Sequence, residues 1–458
     1  MGRISKNAPL AAPVAVRGPK ASTGDAKAGK SDGKPRVADA FNGVAPAGLK
    51  DGLTRAPQTA LEFVDRFNAQ LGLGHKDTKA KDQHMAAAAT HFLTAMPALF
   101  YQDVRGPFAA ASQLRATPSP VTLLVGDAHL GNLMTRSSNE GKTVWGWGDC
   151  DKSGRGSAEW DLARLATDTV LSAREAKKDY SKSDQAELVA AVSEGYTQAL
   201  REFAKTGQRP PGFLEKKETD GALHDFIKNA GDQSQKKLVD DKTKGHSFPR
   251  SQQASPANAA AVRSAVADWA SRLPPDAPVG RPLKVFDVGV DDGDVGGSNS
   301  GLAKFLALVE APNPKDPPII LKFKQVLPSA VENGTGNLAR SNAAKVVANM
   351  ATLEGEKNPL IGSADVNGRS CLVQPLDANV AILDPAKLKK KDFLELARAA
   401  GVALARSQLQ SDDLTPAVIQ RWLGSPATDA AATERLSHFA TAYADQTEAD
   451  TQALQKRN

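Results

Sequence analysis

Gly126-Asp127-Ala128-His129-Leu130-Gly131-Asn132, followed 17 residues after the Asn by Asp149, is the most informative stretch of this chain. One carboxylate lies five residues before an amide, and a second follows a short apolar, Trp-containing run. Phosphoryl transfer needs such a set. One Asp takes or orients the proton of the attacking hydroxyl, while an Asn and a second Asp hold Mg²⁺ on nucleotide phosphates. Val121-Thr122-Leu123-Leu124-Val125 reads as a short buried strand that stops at Gly126. Asn132-Leu133-Met134 restarts a strand, Asn139-Glu140-Gly141-Lys142 has turn chemistry, and Thr143 to Trp147 reads as the returning strand. The expectation is a loop carrying Asp127 and Asn132, with a hairpin delivering Asp149 beside them. The plainer alternative makes Asp127 and Asn132 turn caps, and Asp149 and Asp151 solvated loop residues.

The chain has 458 residues, enough for two or three domains, and 41% hydrophobic residues, enough for a sizeable core. No apolar run approaches the ~20 residues a membrane span needs. Pro9 to Val16 is too short and Pro-broken for a signal sequence. Two cysteines, Cys150 and Cys371, give neither a disulfide framework nor a metal cluster, which suggests a reducing cytoplasm. Cys150 is expected to be a small buried filler, with oxidation sensitivity as the alternative. The net charge of +6 belongs to residues 1–55, which hold ten Lys+Arg and four Asp+Glu; the rest has 48 of each sign. With no aromatic RNA-binding pattern and no zinc-finger spacing, nucleic acid is a weak candidate partner. Residues 1–55 are Ala-, Gly-, Pro-, Lys- and Ser-rich and are expected to be a disordered basic tail, solubilising or docking a protein partner.

Leu61, Val64, Phe67 and Leu71 recur at helical spacing until Gly72 and Gly74. A second helix is expected over about 79–102, kinked or split by Pro97. Ala158 to Leu165 opens a further helix in which Asp161 reaches back to brace the preceding loop. An amphipathic helix follows over 183–205, then loops with short helices over 208–260, and a helix over 257–271. After Pro282, strands are expected at 283–290, 302–309 and 319–324. The run Asp291 to Gly301, with Gly293, Gly296 and Gly297, joins the first two; glycines let backbone amides approach phosphates, though this run is acidic for that purpose. In Ile319-Ile320-Leu321-Lys322-Phe323-Lys324, alternation puts Lys322 and Lys324 on one face. Either this is an edge strand with solvated lysines, or an anion such as a nucleotide phosphate meets them. A helix over 338–353, a strand over 370–376 and helices over 391–411, 415–423 and 430–455 complete the pattern.

Gly126-Asp127-Ala128-His129-Leu130-Gly131-Asn132 resembles the GDxHxxN loop of aminoglycoside phosphotransferases and choline-kinase-like enzymes. The string from Gly148 to Leu165 resembles their metal-binding Asp and the helix start that follows. More closely, over about residues 60–455, the chain resembles the bacterial domain-of-unknown-function family numbered 2252, down to Tyr443-Ala444-Asp445-Gln446. The resemblance implies an α+β, two-lobed, protein-kinase-like fold. It would be circularly permuted, because the catalytic loop precedes the glycine loop and strand lysine instead of following them. Circular permutation is tolerated where old termini lie close and the new break is at the surface. The lobes would be a helical one over 56–280, a small β-rich nucleotide-binding one with its hinge over 281–376, and C-terminal helices over 377–458 completing the first.

By position, the resemblance makes Asp127 the catalytic Asp and Asn132 and Asp149 Mg²⁺ ligands, with Asp151 an auxiliary one. It makes Lys324 the α/β-phosphate contact of ATP, Gly293, Gly296 and Gly297 the phosphate cover, and Gln374 part of the hinge. Val125 and Gln408 stand where relatives often have His. The helix after Lys324 lacks the expected lysine-pairing Glu, for which Glu332 is the nearest candidate. The activity so implied is ATP/Mg²⁺-dependent phosphoryl transfer to a hydroxyl of a small molecule or protein. Its rivals are AMP transfer on the same fold and a non-catalytic pseudokinase binding module.

Overall fold

The computed structural model describes residues 54–279, 283–291, 300–313, 315–333 and 341–457. The expectation of a disordered tail falls almost entirely outside them. Its last two residues do not: Thr54 is exposed, and the Arg55 side chain is buried and ion-paired.

Four helices open it: α1 (Pro57–Gln70), α2 (His75–Ala87), α3 (Ala89–Ala95) and α4 (Pro97–Asp103). The single helix expected over 79–102 is therefore three pieces. Pro97 occupies the first turn of α4, where its missing N–H costs nothing. The second break, at Ala88 in extended conformation, has no Pro or Gly to announce it. Strand β1 (Val121–Leu124) leads to the Asp127 loop, and β2 (Leu133–Ser137) and β3 (Thr143–Trp147) form the expected hairpin. β1 does not join that hairpin. It pairs with β4 (Gly154–Ser157), which runs into α5 (Ala158–Glu175).

Helix α6 (Lys182–Thr206) starts with a capping box between Ser181 and Asp184 and stops at Gly207 in the left-handed conformation. β5 (Phe213–Glu215) adds a third strand to the hairpin sheet, in the order β2-β3-β5. Helices α7 (Gly221–Gly231), α8 (Gln235–Lys242) and α9 (Pro256–Ser271) follow.

The second sheet comprises β6 (Val285–Val290), β7 (Lys304–Val309), β8 (Ile319–Gln325), β9 (Gly362–Val366) and β10 (Arg369–Pro375). Its order is β6-β7-β8-β10-β9, antiparallel throughout. Short α10 (Ala330–Asn333) and α11 (Ala343–Glu354) lie between β8 and β9, and α12 (Lys390–Leu409), α13 (Pro416–Leu423) and α14 (Asp429–Arg457) close the chain. β8 is thus the central strand and not an edge, which removes the solvated-edge reading of Lys324.

One large core unites α1 to α6 with α10 to α14. A second core packs one face of the five-stranded sheet, through Phe305, Ala307, Leu321 and Phe323, on Val262, Val266 and Trp269 of α9. Helix α9 therefore packs on the sheet. The opposite sheet face carries Leu306, Leu308 and Ile320, met by Val239 of α8, and then the lysines. No helix among the described residues is long and apolar enough to cross a membrane.

Candidate functional site

Gly126 has φ +83°, and a Cβ on it would stand 2.1 Å from the Lys152 carbonyl oxygen. Only glycine fits there, and its absence of side chain lets the 126–132 loop lie against the 149–153 loop. Asn132 Nδ2 donates to the Asp127 carbonyl at 3.0 Å, and the Asn132 carbonyl accepts from Gly148 N at 3.1 Å. The β2–β3 pairing of Leu133 with Trp147 thus returns Asp149 beside Asn132, as the hairpin spacing implies.

Helix α5 holds the loop from below. Asp161 accepts from Val125 N at 2.7 Å and from the Tyr101 hydroxyl, and burial pushes its carboxyl up to about 6. Arg164, fully buried, donates to the Asp127 carboxylate and to the Leu93 carbonyl at 2.9 Å. Asp168 accepts from Leu130 N at 2.8 Å. Arg164 and Asp168 were not foreseen from sequence, yet they stand three and seven residues after Asp161, on one helical face. Asp127 itself is 5% exposed.

Lys324 Nζ reaches Asp149 Oδ2 at 2.6 Å and Asp151 Oδ2 at 2.9 Å. Burial would lower the lysine's pKa, but the two carboxylates hold it above its ordinary value. Asp151 is enclosed: its Oδ1 accepts from Lys152 Nζ at 2.9 Å, its side chain is 3% exposed, and its two lysines outweigh burial to keep it below the usual carboxylate range. Asp149 keeps 34% of its side chain exposed. Glu332, the candidate partner for Lys324, instead pairs with Lys345 at 2.5 Å. Cys150 is wholly buried, and burial holds its thiol well above its ordinary pKa, as a filler would be.

Asp149 and Lys324 border a cleft of about 640 Å³ lined also by Met134, Gly148, Lys322 and Gln374, whereas Asp127, Asn132 and Asp151 are not among its lining residues. Lys322 pairs with Asp291 at 3.1 Å, and Gln374 lies opposite Lys322 in the β10–β8 ladder. Lys304 lies opposite Lys324 in the β7–β8 ladder, so three lysines share this sheet face. Glu354, also on the cleft, is pushed up to about 7 by burial, opposed by Arg136 at 3.4 Å. Gly293, Gly296 and Gly297 lie outside the described residues.

Among the described residues no three His, Cys, Asp or Glu side chains gather as a metal-binding group. Mg²⁺ does not require one, since it takes one or two protein oxygens and completes its shell with phosphates and water. Asp149 and Asn132 fit that pattern. Asp151 does not, because both its oxygens are occupied by lysines.

The chain belongs to the family described as "Uncharacterized protein conserved in bacteria (DUF2252)", whose model matches residues 75–457. No curated protein and no solved structure matches it.

Proposed function

We propose that the protein is an ATP- and Mg²⁺-dependent phosphotransferase acting on a hydroxyl, with a protein-kinase-like site in circularly permuted chain order. The observation that carries this reading is the 2.6 Å ion pair between Lys324, on the third strand of a five-stranded antiparallel sheet, and Asp149, at the exit of the hairpin that follows Asp127 and Asn132. Protein kinases use a third-strand lysine on the phosphates, an Asp and an Asn on the metal, and a loop Asp on the acceptor hydroxyl. Here the loop comes first in the chain and the lysine about 190 residues later.

In this reading ATP would supply the phosphoryl group and Mg²⁺ would offset its charge. Lys324, paired with Asp149 here, would contact the α/β phosphates. Asp149 and Asn132 would hold the metal. Asp127, fixed by Arg164, orients the acceptor hydroxyl. Most of the rate enhancement would come from positioning and preorganised charge.

The enclosure of Asp127 against Arg164 favours a second reading, a non-catalytic nucleotide-binding module. AMP transfer remains the rival within the catalytic class, and α-labelled against γ-labelled ATP separates the two by which label the acceptor receives. The primary test is the melting temperature with ATP and Mg²⁺, for wild type and Asp149→Ala. Selective binding to the native state raises it. A rise that Asp149→Ala abolishes is expected; no rise in the wild type refutes all three nucleotide readings.

A further inference from the structure

The connection leaving β10 runs along one rim of the cleft, where Leu376, Asp377 and Val380 line it. Leu376 donates its N–H to the Ile320 carbonyl at 2.8 Å, which ties it to the sheet. Its carbonyl and the N–H of Ala378 then stand two residues apart as an acceptor and a donor. One side chain takes both. Gln235 Nε2 donates to the Leu376 carbonyl at 3.0 Å, and Gln235 Oε1 accepts from Ala378 N at 3.0 Å.

A carboxamide offers one donor beside one acceptor. Adenine offers the same pair along its amino edge, whereas guanine places an acceptor oxygen where adenine has its amino donor. The occupied backbone edge is therefore an adenine-shaped docking edge with a glutamine seated on it. Its distance from the lysines suits this. Leu376 sits beside Ile320, and Lys324 is four residues further along β8, roughly 13 Å at the strand rise. A nucleotide with its base at Leu376 would extend its phosphates toward Lys322 and Lys324.

Gln235 is the first residue of α8, delivered to the rim by that helix. Val239, one turn on, is buried against Leu306, Leu308 and Ile320, and Leu238 and Lys242 line the cleft. We infer that Gln235 occupies the seat of the nucleotide base and so determines base selectivity. With the carboxamide in place the cleft holds a nucleotide through its phosphates, and adenine gains its backbone contacts only by displacing Gln235. This rests on the reading of the cleft as a nucleotide site.

The test uses the full chain with Mg²⁺ and titrates ATP, GTP and inorganic tripolyphosphate against wild type and Gln235→Ala. Wild type is expected to bind ATP and GTP within about threefold of one another. Gln235→Ala should tighten ATP about tenfold while leaving GTP and tripolyphosphate unchanged, because two protein–protein hydrogen bonds no longer compete. Gln235→Glu, which loses the donor and faces the Leu376 carbonyl with an anion, should act in the same direction and guards against a folding defect in the first variant. An unchanged or weakened ATP affinity in both variants overturns the inference and leaves the nucleotide site standing. So does equal tightening of all three ligands, which would report a loosened cleft. Binding of none of them overturns the inference together with the nucleotide reading.

Discussion

Lys81, on α2, is fully buried, and its amino group has no hydrogen-bond partner among the described residues. It lies 4.8 Å from the Phe67 ring centroid, and burial brings its pKa down to about 7. Between pH 7 and the ordinary lysine value the unfolded chain binds the proton and the folded chain does not, so this residue's contribution to stability improves as pH rises through that window. Lys81→Met should stabilise the protein by about 1–3 kcal/mol near pH 7. The gain should shrink towards pH 10, and urea unfolding of both proteins at pH 6.5 and 9.5 measures it; a gain independent of pH would show that charge is not its source. Arg164 presents the opposite case. Removing it in Arg164→Ala takes the buried guanidinium from Asp127 and leaves it His129 Nε2 at 3.9 Å, at a cost of about 3–5 kcal/mol. A loss under about 1 kcal/mol in denaturant titration would mean that Asp127 does not depend on it.

Asp127, Asn132 and Asp149 were legible because their spacing is local to one loop and one hairpin. Arg164 and Asp168 were half legible. Their spacing from Asp161 could be counted, but nothing in the string says that α5 is buried on its polar face as well as its apolar one.

Among the elements, hydrophobic period located helices and strands well where the pattern was long, as in α1, α6 and α12. It failed where tertiary contacts outweighed it. The break at Ala88 carries no local signal, and β9, Gly362–Val366, is too polar to read as a strand until β10 pairs with it. The assignment of α9 to the sheet depends on which face Trp269 meets. The close approach of α6 and α12 is set by two glycines. A Cβ on Gly195 would stand 2.1 Å from the Arg398 carbonyl oxygen, and one on Gly401 2.1 Å from that of Val192. Gly401→Ala must push the helices apart, and about 1–3 kcal/mol of stability should be lost. An alanine there with unchanged melting temperature would mean that the two backbones are not in contact.

Across the whole molecule, the first described residues are joined to the last helix by a buried charge cluster. Arg55 pairs with Asp103 of α4 at 2.9 Å and with Asp450 of α14 at 2.8 Å. Tyr443 donates to Asp103 at 2.7 Å, and Gln446 accepts the Arg55 N–H at 2.9 Å. This gives Tyr443-Ala444-Asp445-Gln446 a structural role: two of its four side chains hold Arg55 and its partner Asp103. Arg55→Ala strands two carboxylates in the interior and should cost about 3–5 kcal/mol. A chain beginning at residue 56 should show the same loss in thermal unfolding, and full stability in that truncated chain would contradict it.

What the residues settled without the fold is what short-range physics governs: the loop with its Asp and Asn, the hairpin that returns Asp149, and the alternation that turns Lys322 and Lys324 to one side. What only the tertiary structure decided involves groups far apart in the chain. Lys324 meets Asp149 across 175 residues, Arg55 meets Asp450 across 395, and Gln235 meets the connection after β10 across 141. A residue string carries no measure of such distances. They arise when apolar faces are buried together, and burial is also what makes each of these polar contacts necessary once formed.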